Sequence, residues 1–271
     1  MHYSEKKIKI AVNNHTVSYI DEGSAYAPTI ICIHGFPFNK SMWSMQVNLL
    51  KDKYRVIAYD VRGHGNSDAG NEDFSIELFV DDLIGLMDVL KVDKTILCGL
   101  SMGGYIALNA IKNYPQRFSR LILCDTNCHA DSPESKEKRM KTIENIREFG
   151  VEKYSDESLK NLFAPNSIKT LPMEVAAIRE MIVNTSIQSL CNTLIAISKR
   201  EETCTSLHDI KIPVLILVGK EDILTPPEVA SVIHEKIKGS EVHIIDHAGH
   251  LSNIENSKEF NDRLIEFLPF I

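Results

Sequence analysis

Ser101, Asp222 and His250 are the residues whose types and settings point most directly to chemistry. A serine hydroxyl is a weak nucleophile at neutral pH, so it needs an imidazole to take its proton and a carboxylate to hold that imidazole in the right tautomer. Ser101 lies in Gly99-Leu100-Ser101-Met102-Gly103-Gly104, a Gly-x-Ser-x-Gly turn between an apolar run (Thr95 to Cys98) and a helical pattern beginning at Tyr105. Glycines two residues either side let strand and helix approach, and the strained turn lifts the hydroxyl clear of the sheet. Asp222 follows the apolar run Val214 to Val218, and His250 ends the loop after Val242 to Ile245. Two alternatives remain open at this point: Asp125 as the acid and His247 as the base. Backbone N–H groups of Met102 and Phe36 complete the set as donors to a developing oxyanion.

These residues need a scaffold that brings separate loops to one place, and the chain shows alternating strand and helix patterns that supply it. Continuous apolar runs at Thr29 to Ile33, Val56 to Tyr59, Thr95 to Cys98, Leu121 to Cys124 and Val214 to Val218 read as strands buried on both faces of a parallel sheet. Ile8 to Val12 and Thr16 to Ile20 alternate apolar and polar and predict a starting antiparallel hairpin turning at Asn13-Asn14. In an open parallel sheet, binding groups gather beyond the carboxyl ends of the strands. The loop Asp60-Val61-Arg62-Gly63-His64-Gly65-Asn66-Ser67-Asp68 also lies there, and we read its polar side chains as bracing for an irregular backbone. The following helical pattern, Ile76 to Leu90, places Asp81, Asp82 and Asp88 on a solvated face.

From about Asn127 to Leu207 the alternation stops and the pattern is helical throughout. Met140, Ile143, Ile146 and Phe149 repeat at threes, and Ile187, Leu190, Cys191, Leu194 and Ile195 at threes and fours, with Pro133, Pro165 and Pro172 as punctuation. We expect a lid, 127–207, inserted into a core formed by 1–126 and 208–271, with most of its apolar stripes packing the lid onto itself and the lid as a whole roofing the site. Thr225-Pro226-Pro227 reads as the cap and first turn of a later helix.

Composition narrows the partners. A chain of 271 residues with 44% hydrophobic and 25% charged residues is an ordinary globular protein, and a net charge of −7 offers no basic patch for nucleic acid or anionic membrane. The expected partner is a small molecule, with no cofactor and no metal. Cys32, Cys98 and Cys124 fall in strand-like runs and read as buried thiols, while Cys124, Cys128 and His129 lack a further pair to complete a tetrahedral metal site. The first residues have no apolar stretch long enough for a signal peptide, so a cytoplasmic location is expected.

Taken together, His34-Gly35-Phe36-Pro37, Asp60-x-Arg62-Gly63-His64-Gly65-x-Ser67-Asp68, Gly99-x-Ser101-x-Gly103-Gly104 and Gly249-His250 resemble the α/β-hydrolase superfamily over essentially the whole chain. The wording of the serine loop and of Gly249-His250-Leu251-Ser252-Asn253-Ile254-Glu255 is similar to capped carboxylesterases and 3-oxoadipate enol-lactonases. The resemblance implies an eight-stranded, mostly parallel sheet flanked by helices, with a helical cap after the sixth strand. It also implies acyl transfer from an ester or lactone to water through Ser101. Perhydrolysis or acyl transfer at the same residues, and a small-molecule receptor on the same fold, are the alternatives it leaves.

Overall fold

A computed structural model of the chain describes residues 4–10 and 15–269. Eight strands form one sheet: β1 (Lys6–Lys9), β2 (Thr16–Glu22), β3 (Thr29–Ile33), β4 (Arg55–Tyr59), β5 (Thr95–Leu100), β6 (Phe118–Cys124), β7 (Val214–Gly219) and β8 (Glu241–Ile245). Their spatial order is β1-β2-β4-β3-β5-β6-β7-β8. β2 runs antiparallel to both β1 and β4, and every later pairing is parallel. The expected hairpin is present as β1 and β2, with Ile8 opposite Val17; its Asn13-Asn14 turn lies outside the described residues.

Among the described residues ten α-helices connect or cover the strands: α1 (Ser44–Leu50), α2 (Ile76–Val89), α3 (Met102–Asn113), α4 (Pro133–Leu162), α5 (Ser167–Thr170), α6 (Pro172–Val183), α7 (Ile187–Lys199), α8 (Pro227–Lys236), α9 (Ser252–Glu255) and α10 (Ser257–Phe267). Side chains alternate across the sheet, so Ile31, Ile33 and Leu97 enter the core under α2, α3 and α8. Ile30, Cys32, Ile96 and Cys98 enter a second core under α1 and α10. With both faces covered, the central strands have no polar face, which is why they read as unbroken apolar runs.

Asp82 departs from the expected solvated face. It is buried, and the Arg62 Nε and Nη2 donate to its two oxygens at 2.8 and 2.5 Å. The side of α2 that carries it turns under the 60–68 loop, where an irregular backbone needs side-chain partners. Asp60 does similar work, accepting from the backbone N–H groups of Lys40 and Asn66 and from the Lys40 ammonium. The bracing role read for this loop fits that geometry.

Between β6 and β7 the chain runs through α4, α5, α6 and α7. Pro133 and Pro172 open α4 and α6 in the first turn, where a missing N–H costs nothing. α4 is two helices meeting at Gly150, whose φ of 85° a side chain would strain. The apolar stripes mostly pack these helices together: Ile143 and Ile146 bury against Leu190, Cys191 and Leu194, while Met140 and Phe149 stay exposed. Among the described residues no single helix is long and apolar enough to cross a membrane.

Cys32, Cys98, Cys124 and Cys191 are buried free thiols. Cys128 and Cys204, 76 positions apart, are joined as a disulfide. That pairing was not anticipated.

Candidate active site

The parallel register aligns the strand ends. Gly99 of β5 lies beside Leu123 of β6, Cys124 beside Leu217 of β7, and Gly219 beside Ile245 of β8. Ser101, Asp125, Asp222 and His250 therefore leave adjacent strands along one edge. Ser101 has φ 53° and ψ −113°, a backbone state that costs a residue with a side chain roughly 1–3 kcal/mol. Its surroundings over-determine that state. The Ser101 N–H donates to Cys124 O at 2.9 Å, and its own carbonyl accepts from Gly104 N, Tyr105 N and Thr126 Oγ1 at 2.8, 3.2 and 2.8 Å. A Cβ on Gly99 would lie 2.2 Å from Gly103 O, and one on Gly103 2.3 Å from Ile33 O. Only glycine allows strand and helix to come this close.

His250 and Asp222 meet directly. The buried His250 ring donates from Nδ1 to Asp222 Oδ2 at 2.8 Å. Asp222 Oδ1 accepts from the N–H groups of Leu224 and Thr225 at 2.8 and 3.0 Å, and Oδ2 accepts from Thr225 Oγ1 at 2.7 Å. Burial alone would raise this carboxyl, but the His250 charge, the His250 hydrogen bond and the Thr225 donors outweigh it and hold Asp222 at about 2. For His250, burial works to lower the basicity, and the charge and hydrogen bond of Asp222 overcome it, so the ring titrates above its ordinary value.

Neither alternative residue occupies this position. Asp125 turns its carboxyl to the Gly219 N–H (2.8 Å) and to Ser252 Oγ (2.5 Å), and burial followed by the nearby Asp222 charge pushes it well above the usual carboxylate range. His247 has φ 56° and an exposed side chain. Two residues that sequence reasoning missed hold the arrangement. Thr225 is turned toward Asp222 rather than capping α8, whose N-cap is Pro226. Glu255 accepts from the N–H groups of Gly249, Leu251 and Ala164 at 2.9, 3.3 and 2.8 Å, tying the histidine loop to the end of α4. Its place three residues after Ser252, in a sequence rich in turn formers, was the available signal.

Ser101 and His250 line one cavity of about 440 Å³, together with Phe36, Tyr105, Leu194 and Ile197. Met102 opens α3, so its N–H belongs to the first turn, which has no intrahelical acceptor. From α4 the cavity receives Ser135, Lys138, Arg139 and Thr142, a polar stripe at helical spacing. Ile143 and Ile146 point to α7 and the polar stripe next to them on α4 borders the cavity, while Leu194 of the α7 stripe also lines it. No Asp or Glu lines it among the described residues. Among those residues one group of donors suited to a metal comes together, Cys128, His129 and Cys204, but the disulfide takes up both sulfurs.

A mostly parallel sheet that raises a strained serine beside an Asp-paired histidine from a later strand is the architecture of the α/β-hydrolase class. The alpha/beta hydrolase fold family matches residues 28–154 and the TAP-like protein family residues 179–269, and the chain belongs to the α/β-hydrolase superfamily. An esterase from Thermogutta terrifontis, solved with malate bound, is 31% identical, with 97% of each chain covered and a TM-score of 0.91. The enol-lactonase from Burkholderia xenovorans LB400 is 30% identical, covering 96% of this chain and 99% of that one, with a TM-score of 0.89. 3-Oxoadipate enol-lactonase 2 of Acinetobacter baylyi is 28% identical over 258 residues, 94% of each chain.

Proposed function

We propose that this chain is a serine hydrolase that cleaves a small-molecule carboxylic ester or lactone through an acyl-enzyme. The observation that carries the reading is the strained Ser101 opening into the same cavity as His250, whose far nitrogen is held by Asp222. With Nδ1–H bound to Asp222, Nε2 is the nitrogen left to accept the Ser101 proton. Ser101 Oγ attacks the carbonyl carbon, and the oxyanion is received by the N–H groups of Met102 and Phe36. His250 returns the proton to the leaving oxygen, then activates the water that releases the acid. No cofactor enters these steps.

The segment 127–207 serves as a cap over the core of 1–126 and 208–271, and supplies the cavity's polar wall. Lys138 on that wall, beside an Arg139 already paired with Asp131 and with no carboxylate among the lining residues, favours a substrate with a polar or anionic acyl group. The esterase and enol-lactonase relatives support ester or lactone chemistry. The working place in this reading is the cytoplasm, with a soluble substrate and neither nucleic acid nor membrane as partner.

The test is a fluorophosphonate label mapped by mass spectrometry, run beside a panel of activated esters, an enol-lactone and a peracid assay. The expected label is on Ser101, with hydrolysis exceeding perhydrolysis. A label on another serine, or unchanged hydrolysis by Ser101→Ala, would overturn the proposal.

A further inference from the structure

The two connections that lead from β6 into α4 and from α7 back toward β7 run side by side and are held by three kinds of bond. The Thr203 N–H donates to Cys128 O at 2.8 Å, Arg200 Nη1 donates to the buried Asp131 Oδ1 at 2.5 Å, and Cys128 is disulfide-bonded to Cys204 with their Cα atoms 4.9 Å apart. The exposed His129 places Nδ1 3.4 Å from Cys204 Sγ. Both cysteines are almost wholly buried, and Cys128 borders a crevice of about 10 Å³ with Tyr105, Asn127, His129 and Arg200.

This neck is mechanically continuous with the catalytic cavity. The Arg200 guanidinium lies over the Tyr105 ring, 4.3 Å from its centroid, and Tyr105 lines both crevice and cavity. Asp131, held by Arg200, also binds Arg139 of the cavity wall. Reduction would leave the two Thr203 hydrogen bonds to Cys128 O and the Arg200–Asp131 ion pair to do what a covalent link now helps to do. Small-molecule thiols of the cytoplasm keep ordinary cysteine pairs reduced, so a pair in this position there would be set by the prevailing thiol balance.

We propose that Cys128 and Cys204 form a reversible thiol–disulfide site through which the thiol balance sets how tightly the cap is held over the catalytic cavity. In reduction, local opening of the neck lets the thiolate of a small thiol attack Cys128 Sγ. It forms a mixed disulfide there and expels the Cys204 thiolate, which the His129 ring is placed to receive by hydrogen bonding. A second thiolate then attacks the reagent's sulfur and releases Cys128, so two electrons and two protons pass to the cysteine pair and the reagent leaves as its own disulfide. Oxidation by a small-molecule disulfide such as oxidised glutathione runs the same exchange backward, with Cys128 as the attacking thiolate and Cys204 closing the link.

The experiment equilibrates the full chain in glutathione buffers of graded ratio and reads three quantities at each: the Cys128–Cys204 link by differential alkylation and mass spectrometry, amide exchange over 127–207, and ester kinetics. The expected result is one transition in the link that exchange and KM follow together. Exchange in the cap should quicken on reduction, KM should rise about 3- to 10-fold, and kcat should change less than twofold. Re-oxidation should restore all three, and Cys128→Ser/Cys204→Ser should show the reduced values in every buffer. His129→Ala should slow reduction by dithiothreitol several-fold and leave oxidised-state hydrolysis unchanged. Failure of the link to form in excess oxidised glutathione would overturn the proposal, as would cap exchange and KM indifferent to it. The kinetic arm rests on the hydrolase reading, whereas alkylation and amide exchange do not, so failure of one is separable from failure of the other.

Discussion

The sheet edge and the helical cap face each other across one cavity and are built on opposite terms. At the sheet edge the contacts are backbone to backbone: Gly99 against Gly103, Gly103 against Ile33, the Ser101 N–H on Cys124. Position is set by strand register, with no room for an added methyl group. In the cap the contacts are side chain to side chain and span long stretches of sequence, as in Asp131 with Arg200 and Cys128 with Cys204. By chain-entropy reasoning, closing those 76 positions stabilises the oxidised fold by about 4.5 kcal/mol. Under the proposed function, the difference teaches where each property would reside: reacting groups where geometry is fixed by local sequence, and selectivity where it is fixed by distant pairs that can be remade.

If that division holds, changes at the sheet edge should reduce turnover by orders of magnitude while changes in the cap shift preference by small factors. Ser101→Ala should fold normally and lower kcat by about 10⁶, read by ester hydrolysis against circular dichroism. Asp222→Asn should lower kcat by about 10⁴, because an amide favours the wrong imidazole tautomer. Asp125→Asn, which keeps an acceptor for Gly219, should cost less than tenfold; the reverse ranking would mean the wrong carboxylate had been assigned.

The acid limb of kcat/KM reports on His250. Asp222 raises that ring above its ordinary 6.5, so activity should fall as pH drops through a value higher than that. The protonated ring stabilises the fold through Asp222, and in the proposed mechanism the neutral ring is the base, so activity should grow with pH over the range where that stabilisation is lost. In Asp222→Asn, burial acts without the opposing charge, and the limb should move to lower pH. A limb that stays put would show that Asp222 does not set the histidine's charge.

The smallest effects belong to the cap wall. A monoester of a dicarboxylic acid should exceed the neutral ester of equal length in kcat/KM, and dodecanoyl esters should be poor substrates of a cavity of about 440 Å³. Lys138→Ala should remove about 3- to 10-fold of the preference for the anionic ester while sparing the neutral one. Equal losses on both would place Lys138 in general support of the cap and not in selection.

What the sequence made legible follows the same division. Glycine spacing around Ser101 and apolar runs before each loop are local signals, and the buried strands and the serine turn could be read from them. Asp222 and Asp125 both follow buried strands, so only the three-dimensional path separates them: the β7 loop runs on to bring Asp222 under His250, while Asp125 is absorbed by Gly219 and Ser252. Asp82 looked solvated because its partner Arg62 lies 20 positions away on another element. The polar stripe of Ser135, Lys138, Arg139 and Thr142 has the same periodicity as the apolar stripe beside it, and nothing local says which faces the cavity. Cys128 and Cys204 are illegible as a pair for the same reason, since a separation of 76 positions carries no trace of where the chain returns.

The hydrogen bond from the His250 N–H to Leu162 O, 2.9 Å, has a bearing on attempts to recombine such enzymes. Because the far end of α4 helps to hold the histidine loop, a graft that exchanges 127–207 wholesale for another enzyme's segment would, under the proposed function, replace part of the support of the proton carrier along with the specificity wall. Such a chimera should lose turnover even on substrates that both parents accept. Junctions set so that 159–164 travels with the host sheet would keep that support, leaving the donor segment to alter selectivity alone.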